Sequence, residues 1–242
     1  MNKKLLIVLI LIPALVLSLS AGCASAKSGG GTQKGELIAA EEPGLTYYLP
    51  EPDTDGDMSV ESALENRRSV RNFLDKALSA DQLSQILWAA YGITEPNRGL
   101  RTAPSAGALY PLEIYAVAGN VEGIESGAYK YIPDSHKIMM VAENDVRDQL
   151  SGAVFNQRMV SEAPAAIFYS AVFSRTTERY GDRGSHFVYI EVGHSAQNVY
   201  LQAEALGLGT CAIGTVTDDA RQIMGLPSDE EPLYLMPIGY YE

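Results

Sequence analysis

The chain is poor in cysteine, in histidine and in positive charge. Two cysteines and three histidines occur in 242 residues. No cysteine pair has ligand spacing and the histidines are scattered, so no metal site is expected. Cys23 belongs to a targeting segment described below. That leaves Cys211 as the single thiol of the body and excludes a disulfide within the chain. Thirty acidic side chains face 18 basic ones, a net charge of −12. Such a surface repels phosphate backbones, so nucleic acid is not an expected partner. No Asp or Ser stands where it would complete a triad with His194. Internal repeats are absent, and strands and helices mix without a βαβ rhythm. The fold class expected is therefore α+β.

Residues 1–22 read as an export signal. Lys3 and Lys4 form a basic start, Leu5 to Leu17 an apolar run, and Ser20-Ala21-Gly22-Cys23 follows. The tetrapeptide resembles a bacterial lipobox with Ser20 where Leu is usual, which would make Cys23 the lipidated first residue of the mature chain; the alternatives are an ordinary cleaved signal and a single membrane anchor. Each buried acyl CH₂ contributes about 0.8 kcal/mol, enough for several chains to hold the protein on a membrane. No twin-Arg is present, so export as an unfolded chain is expected, with any cofactor acquired outside the cytoplasm. Residues 23–40, with Ser28-Gly29-Gly30-Gly31-Thr32, read as lipidated Cys and flexible tether, and 41–242 as the folded body.

The body is organised around Ser185 to Leu206. This stretch has no Pro, and its only charges are Glu191 and Glu204. Apolar residues go round the helix, which predicts a core helix roughly 33 Å long and buried on most sides. His194, Ser195, Gln197 and Asn198 interrupt it too often for a membrane span. Gly207 ends the helix, and Thr210 to Gly214 reads as a buried strand. Upstream, Ser59 caps a short helix to Asn66. Ser79 and Gln82 form a capping box ahead of Leu83, Ile86, Leu87, Ala90 and Tyr91. A loop to Ala103 carries Arg98 and Arg101. Strands are expected at Glu113–Ala118, Gly127–Ile132, Lys137–Val141, Ala165–Phe173 and Leu233–Ile238, and helices at Glu143–Ala153 and Thr217–Met224. Tyr47-Tyr48-Leu49 is expected on the surface, and 174–184 as a polar approach to the long helix.

Among the motifs, Gly207-x-Gly209-x-x-Ala212 fits a dinucleotide fingerprint but follows a helix and precedes a strand, the reverse of what phosphate binding needs. Arg67-Arg68-Ser69-x-Arg71 is the sharpest chemical signal. Three of the eleven arginines cluster there in an acidic chain, and guanidinium forks with a hydroxyl suit a phosphate. Pro104-Ser105-Ala106-Gly107-Ala108 is small enough for a planar ring to approach. His194 reads as a hydrogen-bonded core residue and Cys211 as packing.

Together, Leu64-x-x-Arg67-Arg68-Ser69-Val70-Arg71-x-Phe73, Ala103 to Pro111 with Glu113, Gly193-His194-x-x-Gln197-Asn198, Ala205 to Gly209 and Pro237-x-Gly239 resemble the nitroreductase-like flavoenzymes, and among them the SagB-type dehydrogenases. The resemblance implies a mainly antiparallel sheet flanked by helices, and a homodimer in which the long helix packs against its twin. It also implies one FMN per site, with electrons passing through flavin N5 by ping-pong from NAD(P)H or another donor to a small-molecule or peptide acceptor. By position, Arg67, Arg68 and Ser69 would hold the FMN phosphate and ribityl chain, and Arg71 the pyrimidine edge. Pro104, Ser105 and Ala106 would contact the FMN of the other subunit. The backbone of Ala212, Ile213 and Gly214 would lie beside the ring and N5. A basic residue that many relatives carry after the final Pro-x-Gly is missing, with Arg221 a candidate substitute. Peptide azoline oxidases of the SagB branch use a Lys-Tyr pair where this chain has Arg179-Tyr180, and Arg cannot serve as a base. Tyr180 is thus the only catalytic candidate. The alternatives are peptide thiazoline or oxazoline oxidation, and a lipid-anchored flavin- or solute-binding protein without catalysis.

Overall fold

The computed structural model describes residues 38–40 and 45–242. The expected signal, Cys23 and most of the tether lie outside them. Its frame is an eight-stranded sheet in which every neighbour is antiparallel. In chain order the strands are β1 (Ile38–Ala40), β2 (Thr46–Tyr48), β3 (Ile93–Glu95), β4 (Leu100–Arg101), β5 (Leu112–Ala118), β6 (Gly127–Ile132), β7 (Lys137–Glu143), β8 (Ala165–Ala171), β9 (Gly209–Thr210) and β10 (Glu231–Gly239). The large sheet runs β1-β2-β7-β6-β5-β8-β10-β9, and β3–β4 form a separate hairpin.

Alternation along β5 and β8 explains why both faces are covered. Ile114, Ala116, Ile167 and Tyr169 enter one core with residues of α2 (Ala80–Tyr91) and α6 (Gly184–Ala205). Tyr115, Val117, Ala166 and Phe168 enter the other, with residues of α3 (Arg147–Ala153), α4 (Met159–Glu162) and α7 (Asp219–Ile223). A strand buried on both faces reads as an apolar run, as Ala165–Tyr169 does before the buried Ser170. The remaining helices are α1 (Val60–Asn66) and α5 (Ser174–Tyr180). Ser59 caps α1 and Ser79–Gln82 forms the capping box of α2, both as expected.

Several expectations are corrected. Ile38–Ala40, placed in the tether, pairs with β2. Tyr47 and Leu49 are buried rather than superficial, because β2 pairs with β7 inside the sheet. The loop after α2 contains the β3–β4 hairpin, and 174–184 is mostly α5. Residue 143 still belongs to β7, so α3 starts only at Arg147. Cys211 to Gly214 makes only an isolated bridge, Ile213 with Leu235, beyond the short β9. Helix α6 has the expected length but is not buried all round. His186, Tyr189, Ile190, Gly193, His194 and Gln197 form an exposed stripe along it, so His194 is not a core residue.

One histidine is built in. His136, in the turn between β6 and β7, is half-buried, with Nε2 2.7 Å from Ser84 Oγ of α2 and Nδ1 2.8 Å from the Tyr131 hydroxyl of β6. Its carbonyl accepts from Leu49 N–H, so it ties the segment after β2 to sheet and helix. Burial pushes the imidazole pKa below its usual 6.5, against the opposing Pro50 carbonyl and Glu51. The folded state then binds fewer protons than the unfolded one, and stability falls as pH drops from 6.5 toward the folded-state value. Urea midpoints should decline between pH 7 and 5.5 in the native protein and decline less in His136→Gln. Parallel declines would remove His136 from the account.

Candidate functional site

The arginine motif is carried to its place by the end of a helix and the edge of a sheet. Helix α1 ends at Asn66 with Arg67 as its cap, and the chain then extends along β9 in a parallel bridge between Ser69 and Thr210. Val70 N–H donates to Thr210 carbonyl at 2.9 Å. The approach depends on Gly209, where a Cβ would stand 2.6 Å from Val70 Cβ.

Tyr200 on α6 joins this motif to the backbone beyond β9. Its hydroxyl lies 3.1 Å from Ser69 Oγ and accepts Ala212 N–H at 2.8 Å, while the Arg67 guanidinium sits over its ring at 5.1 Å. Two segments that sequence reasoning assigned to one ligand, Arg67–Arg71 and Ala212–Gly214, are therefore tied through one side chain. Among the described residues no carboxylate pairs with Arg67, Arg68 or Arg71, which leaves their donors for an anion. Arg68 is partly committed, since its Nη1 donates to the Glu65 and Arg67 carbonyls. Arg71 reaches back to the Ser69 carbonyl at 3.4 Å. The backbone contribution is narrower than expected. Ala212 N–H is taken by Tyr200 and Ile213 N–H by the Leu235 carbonyl, so exposed Gly214 is the remaining free amide of the three among the described residues. Arg221 is no substitute for the missing basic residue, because its Nη1 is bound to the carbonyls of Pro227, Ser228 and Glu230.

Pro104, Ser105 and Ala106 sit at a different level of α6. Ser105 Oγ accepts Tyr110 N–H at 2.9 Å, closing a tight loop in which Gly107, Ala108 and Tyr110 all have positive φ. Beneath it, Glu191 of α6 is 2 % exposed and accepts a hydrogen bond from the Tyr91 hydroxyl. Burial raises the Glu191 carboxyl, against the Ser105 and Tyr91 hydroxyls that bond it. Burial beside that carboxylate raises the Tyr91 phenol too. Arg101 is stacked between the rings of Tyr91 and Tyr110, 4.3 and 4.7 Å from their centres. Glu191 and Tyr200 are nine residues apart, about 13 Å along the axis at 1.5 Å per residue. One chain thus places the two groups of expected site residues at two heights on one helix and does not bring them together.

Tyr91, Arg101, Glu191 and Tyr200 were missed from sequence. Glu191 had a signal, being one of two charges in the long apolar stretch. Tyr200 had none, since an aromatic at helical spacing reads as core.

The residues present fit a flavin mononucleotide. Unpaired guanidiniums and a hydroxyl suit its phosphate, and the free Gly214 amide suits the ring edge. Comparison with known proteins agrees. The model of the nitroreductase family matches residues 64–240. The Methanocaldococcus jannaschii protein MJ1384, named as a nitroreductase, is 45% identical over 197 residues, 81% of this chain and 98% of that one. The microcin B17-processing protein McbC of Escherichia coli is 30% identical over 57% of this chain and 53% of its own length. A crystal structure from Ralstonia eutropha, also named as a nitroreductase, superposes with a TM-score of 0.72 at 28% identity, covering 88% of this chain and 96% of that one. With most of its length matched in sequence and in fold, the chain belongs to the nitroreductase family, oxidoreductases whose usual cofactor is FMN.

Proposed function

We propose that this protein is an FMN-dependent oxidoreductase that passes two electrons from a donor to a separate acceptor by ping-pong, as a homodimer held to a membrane through Cys23. The observation that carries the reading is the Tyr200 junction, which sets unpaired arginines and the free Gly214 amide at one end of α6. Arg67 and Ser69 would hold the phosphate of FMN, with one edge of Arg68 in support. Arg71 would offer positive charge, and Gly214 a free N–H, to the ring. Bound FMN supplies a ring that accepts and releases two electrons at N5. Pro104, Ser105 and Ala106 come from the partner subunit, which accounts for the separation of the half-sites and for the exposed apolar stripe with Tyr189 and Ile190. No protein acid or base is demanded in this reading.

An exported site stands apart from the cytoplasmic NAD(P)H pool, so a membrane electron carrier is the better donor in this reading. Peptide azoline oxidation is less favoured, because Arg179 stays protonated and cannot act as a base. Full-length protein in detergent, incubated with FMN and desalted, should retain close to one FMN per chain and run as a dimer in light scattering. Quinol or NAD(P)H should then bleach the flavin. A protein that keeps no flavin would instead be a solute-binding member of the fold, and one bleached only by dithionite would have another donor.

A further inference from the structure

A second set of free donors stands on the Pro104–Ala108 loop. Arg179 and Tyr180, at the end of α5, converge on Gly107. A Cβ built there would lie 2.8 Å from the Tyr180 hydroxyl and 2.9 Å from Arg179 Nη1. Both groups thus lie against the loop at the same point, in space that a side chain at Gly107 would take. Neither has a hydrogen-bond or ion-pair partner among the described residues. Glu178 and Asp182, the nearest carboxylates in the chain, form no bridge with Arg179, whereas the neighbouring Arg175 is paired with Glu113.

The pair is held in place. Phe187 of α6 packs edge-on against Tyr180, ring centres 5.0 Å apart, and the Arg179 guanidinium lies 5.5 Å from the Tyr180 ring centre. Gly184 lets α5 and α6 meet closely, since a Cβ there would stand 2.7 Å from Thr177 Cα. Opposite, the loop is fixed by Arg175 Nη1 donating to Tyr110 carbonyl at 3.0 Å, and by the Ser105 bond to Tyr110 N–H. A chain of net charge −12 has put an unpaired guanidinium and a phenol over a glycine, on the same loop as one half-site.

We propose that Arg179 and Tyr180 bind the carboxylate of a small organic acid, the second substrate of the reaction proposed above. A guanidinium edge and a hydroxyl are three donors that match the two oxygens of a planar carboxylate. The inference rests on the flavin reading only for calling this acid the electron acceptor, because the donors come from a single chain.

The test is calorimetric titration of full-length protein, with and without FMN, using benzoate, benzyl alcohol and phenyl phosphate. Benzoate should bind at least about ten-fold more tightly than benzyl alcohol, the scale of a charge-assisted bond. Arg179→Gln should abolish that preference and Arg179→Lys should keep part of it, with flavin absorbance unchanged in both. Equal binding of benzoate and benzyl alcohol, or a preference that survives Arg179→Gln, overturns the proposal. Tighter binding of phenyl phosphate overturns the carboxylate assignment. Absence of retained FMN in every sample would instead sink the flavin reading, and the benzoate preference would still decide this one.

Discussion

An Arg67→Ala protein is expected to fold and to lose most of its FMN. The guanidinium lies over Tyr200 and pairs with no carboxylate among the described residues, so its removal leaves no orphaned charge among them. The fold should feel it little, because the bonds that dock the segment are backbone ones. Arg67 N–H donates to Ala63 carbonyl and Val70 N–H to Thr210 carbonyl, and an alanine keeps both. The ligand should feel it strongly. A hydrogen bond to a charged group contributes about 1.5–3 kcal/mol, which is roughly ten- to hundred-fold in affinity. Equilibrium dialysis of FMN against native and mutant protein, with melting temperature as control, reads the two effects separately. Unchanged FMN affinity would remove Arg67 from the phosphate site.

Replacing Glu230 should do the opposite and damage the fold. Glu230 lies just before β10 and is 2 % exposed, yet it is charged. It accepts from the Tyr115 hydroxyl at 2.6 Å, from Ser170 Oγ at 2.6 Å and from Lys130 Nζ at 2.8 Å. Burial pushes its carboxyl up, but the bonds from Lys130, Ser170 and Tyr115 outweigh burial and hold it below the usual range. Glu230→Ala strands two buried hydroxyls and leaves Lys130 with Glu113 alone. Breaking a buried pair in this way costs about 3–5 kcal/mol. Glu230→Gln keeps one acceptor oxygen and should lose less. The native carboxylate is depressed, so its contribution is complete above pH 4.5 and is lost as pH falls through the folded-state value. The gap in urea midpoint between native and Glu230→Ala should therefore narrow on acidification. An unfolding free-energy difference under about 1 kcal/mol at pH 7 would mean that the network carries little stability.

Legibility followed the range of the interactions. Ser59, Ser79 and Gln82 cap helices through bonds three residues long, and the sequence announced them. Strands β5, β6 and β8 were visible as well, because alternation or an unbroken apolar run is a local pattern. The edges of elements were not. Whether 174–184 is loop or helix depends on packing against α6 at Gly184, and whether Tyr47 is exposed depends on β7. At the site, the arginine cluster stood out as a departure from the overall charge. Its partner Tyr200 is 131 residues from Ser69, and nothing in an aromatic on an apolar helix says that its hydroxyl ties two segments together. In the cluster of Tyr91, Arg101 and Glu191 only Glu191 stood out, as a charge in an apolar stretch, and nothing local tied it to Tyr91 and Arg101. His194 was misread because its apolar neighbours in sequence go round the helix, while only the packing of α6 decides which of its faces is exposed.

The bridge between Ser69 and Thr210 has a further effect. Strand β9 is only two residues long and closes one margin of the large sheet. A bare margin offers unpaired amides and carbonyls to any passing chain, the route to edge-to-edge aggregation. Here the Thr210 carbonyl is occupied by Val70, and the occupying segment carries three positive charges that repel a copy of itself. The segment Arg67 to Arg71 therefore guards a sheet margin whatever it binds, and a variant that undocks it would precipitate for reasons unrelated to catalysis.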